Sequence, residues 1–415
     1  MFLVYIIYIL TFLIAIPTIS KSYKIFGTWI NYYTLTNLWW LILTLGQLSF
    51  DIYDRPISID VYMIFLLGLN FFNMTILFIK RKKIYKTEEV VLDLKYRRIA
   101  ELFIFIFYLP QTIFNYKLIA SGVELWEINF MYWNELRSSG SYIYDFIAQS
   151  VVSPLSFLLV ATTLFKSYKK YSTIDFCVTL LFSILITVEM IIITGGGRTE
   201  MIFLVFTLVI SYLLSCTSQG ERYLMRVNKI WVVGLCIGGI VMLSWATIGR
   251  TSSDEGFVEL AIKGFSVYPP LFEYYLNNTR CFDNNTFGLT FFEPFILIIQ
   301  YPFKHLFGEE FYPERINTII QQFVYLPALG KELNAQVSAY WVYFRDFGWL
   351  GIVLGPTITS FLLNIIYDFC KKNTFYKCAF TYVLVLSFSS EFIFDGSFFY
   401  VLIFMILLKK ISVVK

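Results

Sequence analysis

Thr194-Gly195-Gly196-Gly197-Arg198-Thr199-Glu200 concentrates the groups that hold an anion. Consecutive glycines let the backbone aim successive N–H groups at one point, which builds a concavity for negative charge. Thr199 is placed to cap the helix that follows, and the N-terminus of that helix adds partial positive charge beside Arg198. Gly196 and Gly197 give a phosphate room to approach. The alternative is a tight hairpin between two apolar stretches, 174–193 and 201–214, whose arginine only reaches up to water.

Further arginines extend the theme. Arg250 closes the eighth apolar run, Arg345 lies near the start of the ninth, and Arg280 and Arg315 fall between them. Arginine keeps its charge and presents a planar fork that matches phosphate oxygens. These side chains either grip an anionic ligand such as a pyrophosphate or pair with Asp254, Glu255, Glu314 and Asp346 nearby. The second distinctive stretch is Asn334-Ala335-Gln336-Val337-Ser338, followed by Tyr343-Phe344-Arg345-Asp346-Phe347-Gly348-Trp349-Leu350-Gly351. An Arg-Asp pair at the head of an apolar helix is costly unless it faces protein or water. Gly348 and Gly351 offer small-residue spacing for close helix contact. The Asp-Phe-Gly triplet has none of the surrounding elements of a kinase. Candidate general bases are Asp346, Glu314, Glu332, Glu273 and His305, the one histidine of the chain.

The elements that must position these residues are membrane helices. Hydrophobic residues make up 58% of the 415-residue chain and charged ones only 15%, against about 25% charged in soluble domains. Eleven apolar runs, at 2–19, 29–50, 57–79, 99–120, 146–165, 174–194, 199–216, 230–249, 337–366, 378–396 and 397–408, predict an all-α polytopic membrane protein. The ninth is over-long, so it either tilts or begins outside the bilayer; Glu391 and Asp395 interrupt the last two. The first run lacks a basic n-region and a small-residue cleavage site, which predicts an uncleaved helix. Six cysteines are scattered with no CxxC spacing, so neither a disulfide framework nor a metal cluster is expected.

Basic residues orient the chain. The connections 20–28, 80–98, 166–173, 217–229, 368–377 and the tail 409–415 hold 22 of the 33 lysines and arginines, and the positive-inside rule places them in the cytoplasm. Lys80-Arg81-Lys82-Lys83 and Lys95-Tyr96-Arg97-Arg98 read as orientation charge, with no nucleic-acid role. The N-terminus is then expected outside and the C-terminus inside. The connections 51–56, 121–145, 195–198 and 250–336 face outward, and with them the arginines named above. The 250–336 loop is far longer than structureless connections usually are and is rich in aromatics, among them Tyr268, Phe272, Tyr275, Phe282, Phe287 and Phe291. Its 287–303 stretch is apolar but short for a span, which predicts a re-entrant or interfacial helix. Aromatic faces mixed with Asn, Gln, Asp and Glu suit sugar rings as well as membrane anchoring.

Gly-Gly-Arg-Thr after an apolar span, a long outer loop and an Asn-containing segment leading into Asp-Phe-Gly-x-x-Gly resemble the Wzy-type oligosaccharide repeat-unit polymerases, relatives of the O-antigen ligases. The resemblance covers the second half of the chain and the overall topology. It implies a bacterial inner-membrane glycosyltransferase for O-antigen, capsule or related lipopolysaccharide that moves a growing glycan from undecaprenyl pyrophosphate to a new lipid-linked unit. It implies no metal or other cofactor, inversion at the transferred sugar, membrane lipids and a chain-length regulator as partners, and no nucleic acid. By position, Arg198 and Arg250 match the arginines that grip the donor pyrophosphate, and Asn334 matches the polar position before the ninth span. The ligases commonly have a histidine before that asparagine, where this chain has Leu333. A metal-dependent transferase would want an acidic early outer loop, for which only Asp51 and Asp54 are available. A lipid-linked oligosaccharide flippase would show two similar halves and charge deep in several spans, where this chain has Glu189 and Lys117. An acyltransferase would need a histidine on an inner loop.

Overall fold

Apolar runs of membrane-spanning length become helices wherever the computed structural model describes them. It describes residues 2–49, 53–80, 93–131, 147–163, 172–194, 266–278, 285–292, 323–334 and 338–371, with short pieces and single positions elsewhere, among them 204–207, 282, 376–377 and 403–407. The helices are α1 (Phe2–Phe26), α2 (Tyr32–Ser49), α3 (Ile59–Met74), α4 (Leu94–Ala120), α5 (Leu125–Met131), α6 (Ser153–Ala161), α7 (Thr173–Ile193), α8 (Tyr268–Asn278) and α9 (Ala339–Cys370). Among the described residues five helices, Leu3–Phe26, Ile59–Leu77, Leu94–Ala120, Thr173–Ile193 and Ala339–Cys370, are long and apolar enough to cross a membrane. Most of the seventh, eighth and tenth apolar runs and half of the eleventh lie outside the described residues.

The chain divides into two compact units, the first comprising Met1–Lys83, Val258–Ile366 and Leu386–Gly396. Its core joins α1, α2 and α3 to residues of the long 250–336 connection and of α9: Tyr8, Trp39, Trp40, Val61, Phe65 and Leu69 pack with Tyr268, Leu271, Phe272, Tyr275, Leu326 and Leu329 and with Tyr340 and Trp341. With no water available, polar side chains inside it pair with one another. Asn37 and Asn73 exchange amide hydrogen bonds at 2.8 Å each. The hydroxyls of Tyr33, Thr75 and Ser360 form a triangle with edges of 2.6, 2.7 and 2.6 Å. Strands β1 (Phe323–Leu326) and β2 (Lys331–Asn334) pair antiparallel in register from Phe323↔Asn334 to Leu326↔Lys331. Gly330, at a φ of 60°, supplies the left-handed step of their turn. The Asp54 N–H ties the hairpin to the loop before α3 by donating to the Ala328 carbonyl at 2.9 Å.

The over-long ninth run is a broken helix. Phe347 (φ −140°) and Gly348 (φ 56°) leave helical geometry and split α9 into a short arm, 339–346, and a long arm, 349–370. The Tyr343 hydroxyl bonds the Thr359 hydroxyl. Along an unbroken helix these residues, sixteen apart, would be separated by about 24 Å, so the short arm folds back onto the long one. The face of the long arm that receives Tyr343 has no side chain in the way. A Cβ on Gly351 would lie 1.8 Å from the Tyr343 carbonyl oxygen, and one on Gly355 would lie 2.1 Å from the Tyr343 ring. The small-residue face expected at Gly348 and Gly351 is therefore made by Gly351 and Gly355, and Gly348 makes the turn.

The second unit comprises Ile84–Phe257, Tyr367–Val385 and Ser397–Lys415. Its described core sets Ile104 and Tyr108 of α4 against Leu155 and Leu159 of α6 and Ile186 and Ile193 of α7. A π-helical turn over Ala148–Val152 leads into α6. Pro154, in the first turn of α6, has no N–H to give an α-helical ladder, and the wider turn accommodates it. Ser172 and Asp175 start α7 with a reciprocal capping box. Arg97, in the second basic run, also has a structural role. It is buried, its Nε donates to Glu101 at 2.7 Å, and its remaining nitrogens reach the Thr162 hydroxyl and the Leu159 carbonyl at 2.8 and 2.7 Å. Arg98 completes the cluster at 2.6 Å from the same carboxylate.

Candidate functional site

The Arg345-Asp346 pair sits at the fold of α9, where the short arm ends. Backbone pairing brings the 285–292 segment onto it: the Thr286 N–H donates to the Arg345 carbonyl at 3.2 Å and the Phe287 N–H to the Asp346 carbonyl at 3.0 Å. The Asp346 carboxylate, 1% exposed, then takes three more donors. The Thr286 hydroxyl and Thr290 N–H reach Oδ1 at 2.5 and 3.0 Å, and the Phe291 N–H reaches Oδ2 at 2.9 Å. Since the Thr286 proton is committed to Asp346, the Thr290 hydroxyl donates to Thr286 across 2.6 Å. This carboxylate clasps the loop to the helix. Proton abstraction from a substrate would have to compete with those three bonds, so the geometry gives Asp346 a positioning role. The described start of the apolar 287–303 stretch, 287–292, is made of turns.

Arg345 is buried, and its guanidinium carbon lies 5.5 Å from the centre of the Trp341 ring. Trp341 is fully buried between Tyr275 and Phe282, whose rings lie 5.5 and 5.7 Å away. A cation over an indole face is stabilised by the ring quadrupole, more so when shielded from water. Neighbouring rings continue the wall: Phe282 lies 5.1 Å from Phe344 and 5.5 Å from Phe272. Phe272, Tyr275 and Phe282 of the long connection are thus core for the Arg345 segment. Asn334 closes the hairpin as the residue opposite Phe323.

Among the candidate bases, Glu273 is engaged. Its carboxylate accepts the Ser58 N–H at 2.7 Å at the start of α3 and pairs with Arg55 at 2.8 Å. Glu332 lies in β2 opposite Tyr325. Arg198, Arg250, Gly196, Gly197, Arg280, Arg315, Glu314 and His305 lie outside the described residues. The structure does describe what precedes Arg198. The buried Asn115 of α4 donates its amide to the carbonyls of Ile192 and Ile193 at 3.1 and 3.0 Å, and the Thr194 hydroxyl donates to Met190 at 2.8 Å. The C-terminus of α7 is thereby fixed where the glycine-arginine segment begins. Asn115, Thr286 and Thr290 escape a sequence reading: an asparagine inside an apolar run is a usable signal, whereas the threonines gain meaning only from the loop contact. No group of three or more metal-ligating side chains occurs among the described residues.

Asp346→Asn separates the clasp from a base. Its amide nitrogen would face at least one of the three donors, and hydrogen bonds to charged groups contribute about 1.5–3 kcal/mol each. We expect a lower thermal midpoint and faster proteolysis within 285–292, with activity falling in parallel. Parental proteolysis with loss of activity would return Asp346 to the role of base.

Compared with known proteins, the chain matches no family model, no curated protein and no solved structure.

Proposed function

We propose that this membrane protein polymerises undecaprenyl-pyrophosphate-linked oligosaccharide repeat units, transferring the growing glycan to a new lipid-linked unit on the outer face of the bacterial cytoplasmic membrane. The observation that carries the reading is the joint pattern of the glycine-arginine connection after α7 and the Asn334–Gly351 stretch. The second of these is built as a folded-back helix with a buried arginine over a tryptophan and a loop clasped to its tip. Such investment in an Arg-Asp pair at the head of a span suits a site. In this reading eleven spans cross the bilayer with the N-terminus outside. Arg198 and Arg250 stabilise charge on the departing pyrophosphate without a metal, and Arg280, Arg315, Arg345 and Asn334 bind substrate. The loop holds both sugars in attacking geometry, with inversion at the transferred carbon, and a chain-length regulator is the partner. Glu314 and His305 stay candidates for the base.

The test is reconstitution with a lipid-linked repeat unit. Elongation that survives EDTA is expected; an unextended substrate with correctly inserted protein overturns the reading. In a deletion strain, surface polymer should vanish while a single repeat unit persists, whereas complete loss would place the protein upstream.

One observation favours a second reading, a flippase for the same lipid-linked glycan. Glu189 of α7 is 4% exposed and neither of its carboxylate oxygens has a hydrogen-bond partner among the described residues. Ionisable groups within a bilayer commonly mark transport paths.

A further inference from the structure

Phe287 holds a φ of 51°, the one positive φ at a non-glycine among the described residues. A bulky side chain in the left-handed region is a true outlier, sustained only where surrounding contacts over-determine it. Here they do: the Phe287 N–H is bonded to the Asp346 carbonyl, and the Asp346 carboxylate grips the residues on both sides. Yet the ring so positioned is 76% exposed, more than any other large apolar side chain described from 266 onward. A strained backbone that holds a phenylalanine outward has no explanation among the described residues.

The surroundings supply one. The Phe287 ring meets Phe347 edge-on at 6.4 Å, and Leu289, Phe292, Phe347, Trp349 and Leu350 are exposed around the same fold of α9. From there the apolar surface runs down the long arm without a break: Leu350, Leu354, Ile358, Phe361 and Ile365 recur every three or four residues and all are exposed. On a membrane-spanning helix that face is covered by acyl chains. The lip at its head is continuous with it, and Trp349 is the residue type that settles at the headgroup boundary.

We infer that Phe287, Leu289, Phe292 and Trp349 form a lip that inserts into the outer leaflet of the bilayer, with the Asp346 clasp setting its angle. The occupant of this surface is lipid at the boundary between headgroups and acyl chains. The lip holds whether or not the chain is a polymerase, since it follows from the span and the clasp, and its leaflet from the orientation set by the basic connections.

The experiment places a benzophenone side chain at 287, 349 or 325 of the full chain, in vesicles of tritiated phosphatidylglycerol and phosphatidylethanolamine. Tyr325, on β1, is the control, with an exposure close to that of Trp349. Illumination should attach several-fold more lipid at 287 and at 349 than at 325. Lipid labelling at 287 or 349 no greater than at 325, or a cross-linked pair of chains as the main product there, overturns the inference. Should the 287 variant not run as a monodisperse protein, position 292 takes its place with the same expected and opposing results.

Discussion

Replacing Arg198 by alanine is expected to abolish long-chain polymer while insertion and thermal stability stay near parental values. In the proposed topology the segment lies on the side that the positive-inside rule keeps poor in basic residues, so the arginine there is not explained by orientation. It begins immediately beyond a helix end whose last carbonyls are already satisfied by Asn115, so removing the side chain leaves that anchorage intact. Removing one preorganised group that stabilises developing charge costs about 10²–10³ in turnover. A polymerase compounds the loss, because each long chain needs many successive transfers before it is released. The ladder should collapse to its shortest members. Arg198→Lys keeps the charge and loses the planar fork, and an intermediate ladder is expected from it. The readout is chain length on a gel together with the amount of protein in the membrane. A normal ladder from Arg198→Ala would sink the assignment.

Substituting valine for Gly351 should prevent the folded-back helix from forming. Its first added carbon would overlap the Tyr343 carbonyl oxygen and carbon, at 1.8 and 2.6 Å. Both are backbone atoms, so no rotamer relieves the contact. Overpacking typically costs about 1–3 kcal/mol, and a clash with main chain belongs at or beyond the top of that range. Opening the two arms of α9 also displaces Tyr343 from Thr359 and shifts the Arg345–Asp346 tip together with the loop it clasps. Gly238→Ala is the control, because a Cβ there meets open space. Size-exclusion after heating should show a markedly lower midpoint, or no monodisperse protein, for Gly351→Val and parental behaviour for Gly238→Ala. Equal midpoints would mean that the arms are not packed as described.

Hydropathy made the spanning helices legible because a bilayer demands length and apolarity from a contiguous segment. Five helices of the described residues meet that demand. The break in α9 was hidden for the same reason: two arms that are both apolar read as one over-long span. Gly348 carried the signal, since it follows Asp346 closely and supplies the positive φ of the turn. The ion pair of Arg97 was not read from the basic run, although its partner, Glu101, waits one helical turn along. The site was legible by residue type and not by contact. Nothing local announces that Thr286 and Thr290 will meet a carboxylate some sixty positions later. Glu273, a candidate base by type alone, proves to cap α3 from across the first unit.

The hydroxyl triangle of the first unit has a proton count that does not balance. Tyr33, Thr75 and Ser360 bring one hydroxyl hydrogen each, yet they share three edges, and the Thr75 oxygen also lies 2.6 Å from the Phe72 carbonyl as its donor. Three hydrogens therefore serve four close contacts, and inside a bilayer no water is at hand to contribute a fourth. Deleting the Tyr33 or the Ser360 hydroxyl leaves two hydrogens for two contacts, a balanced set. Deleting that of Thr75 leaves two hydrogens for one, and one of them without an acceptor in the set. The three positions look equivalent in distance and are unequal in consequence: Thr75 is the member the first unit cannot lose cheaply.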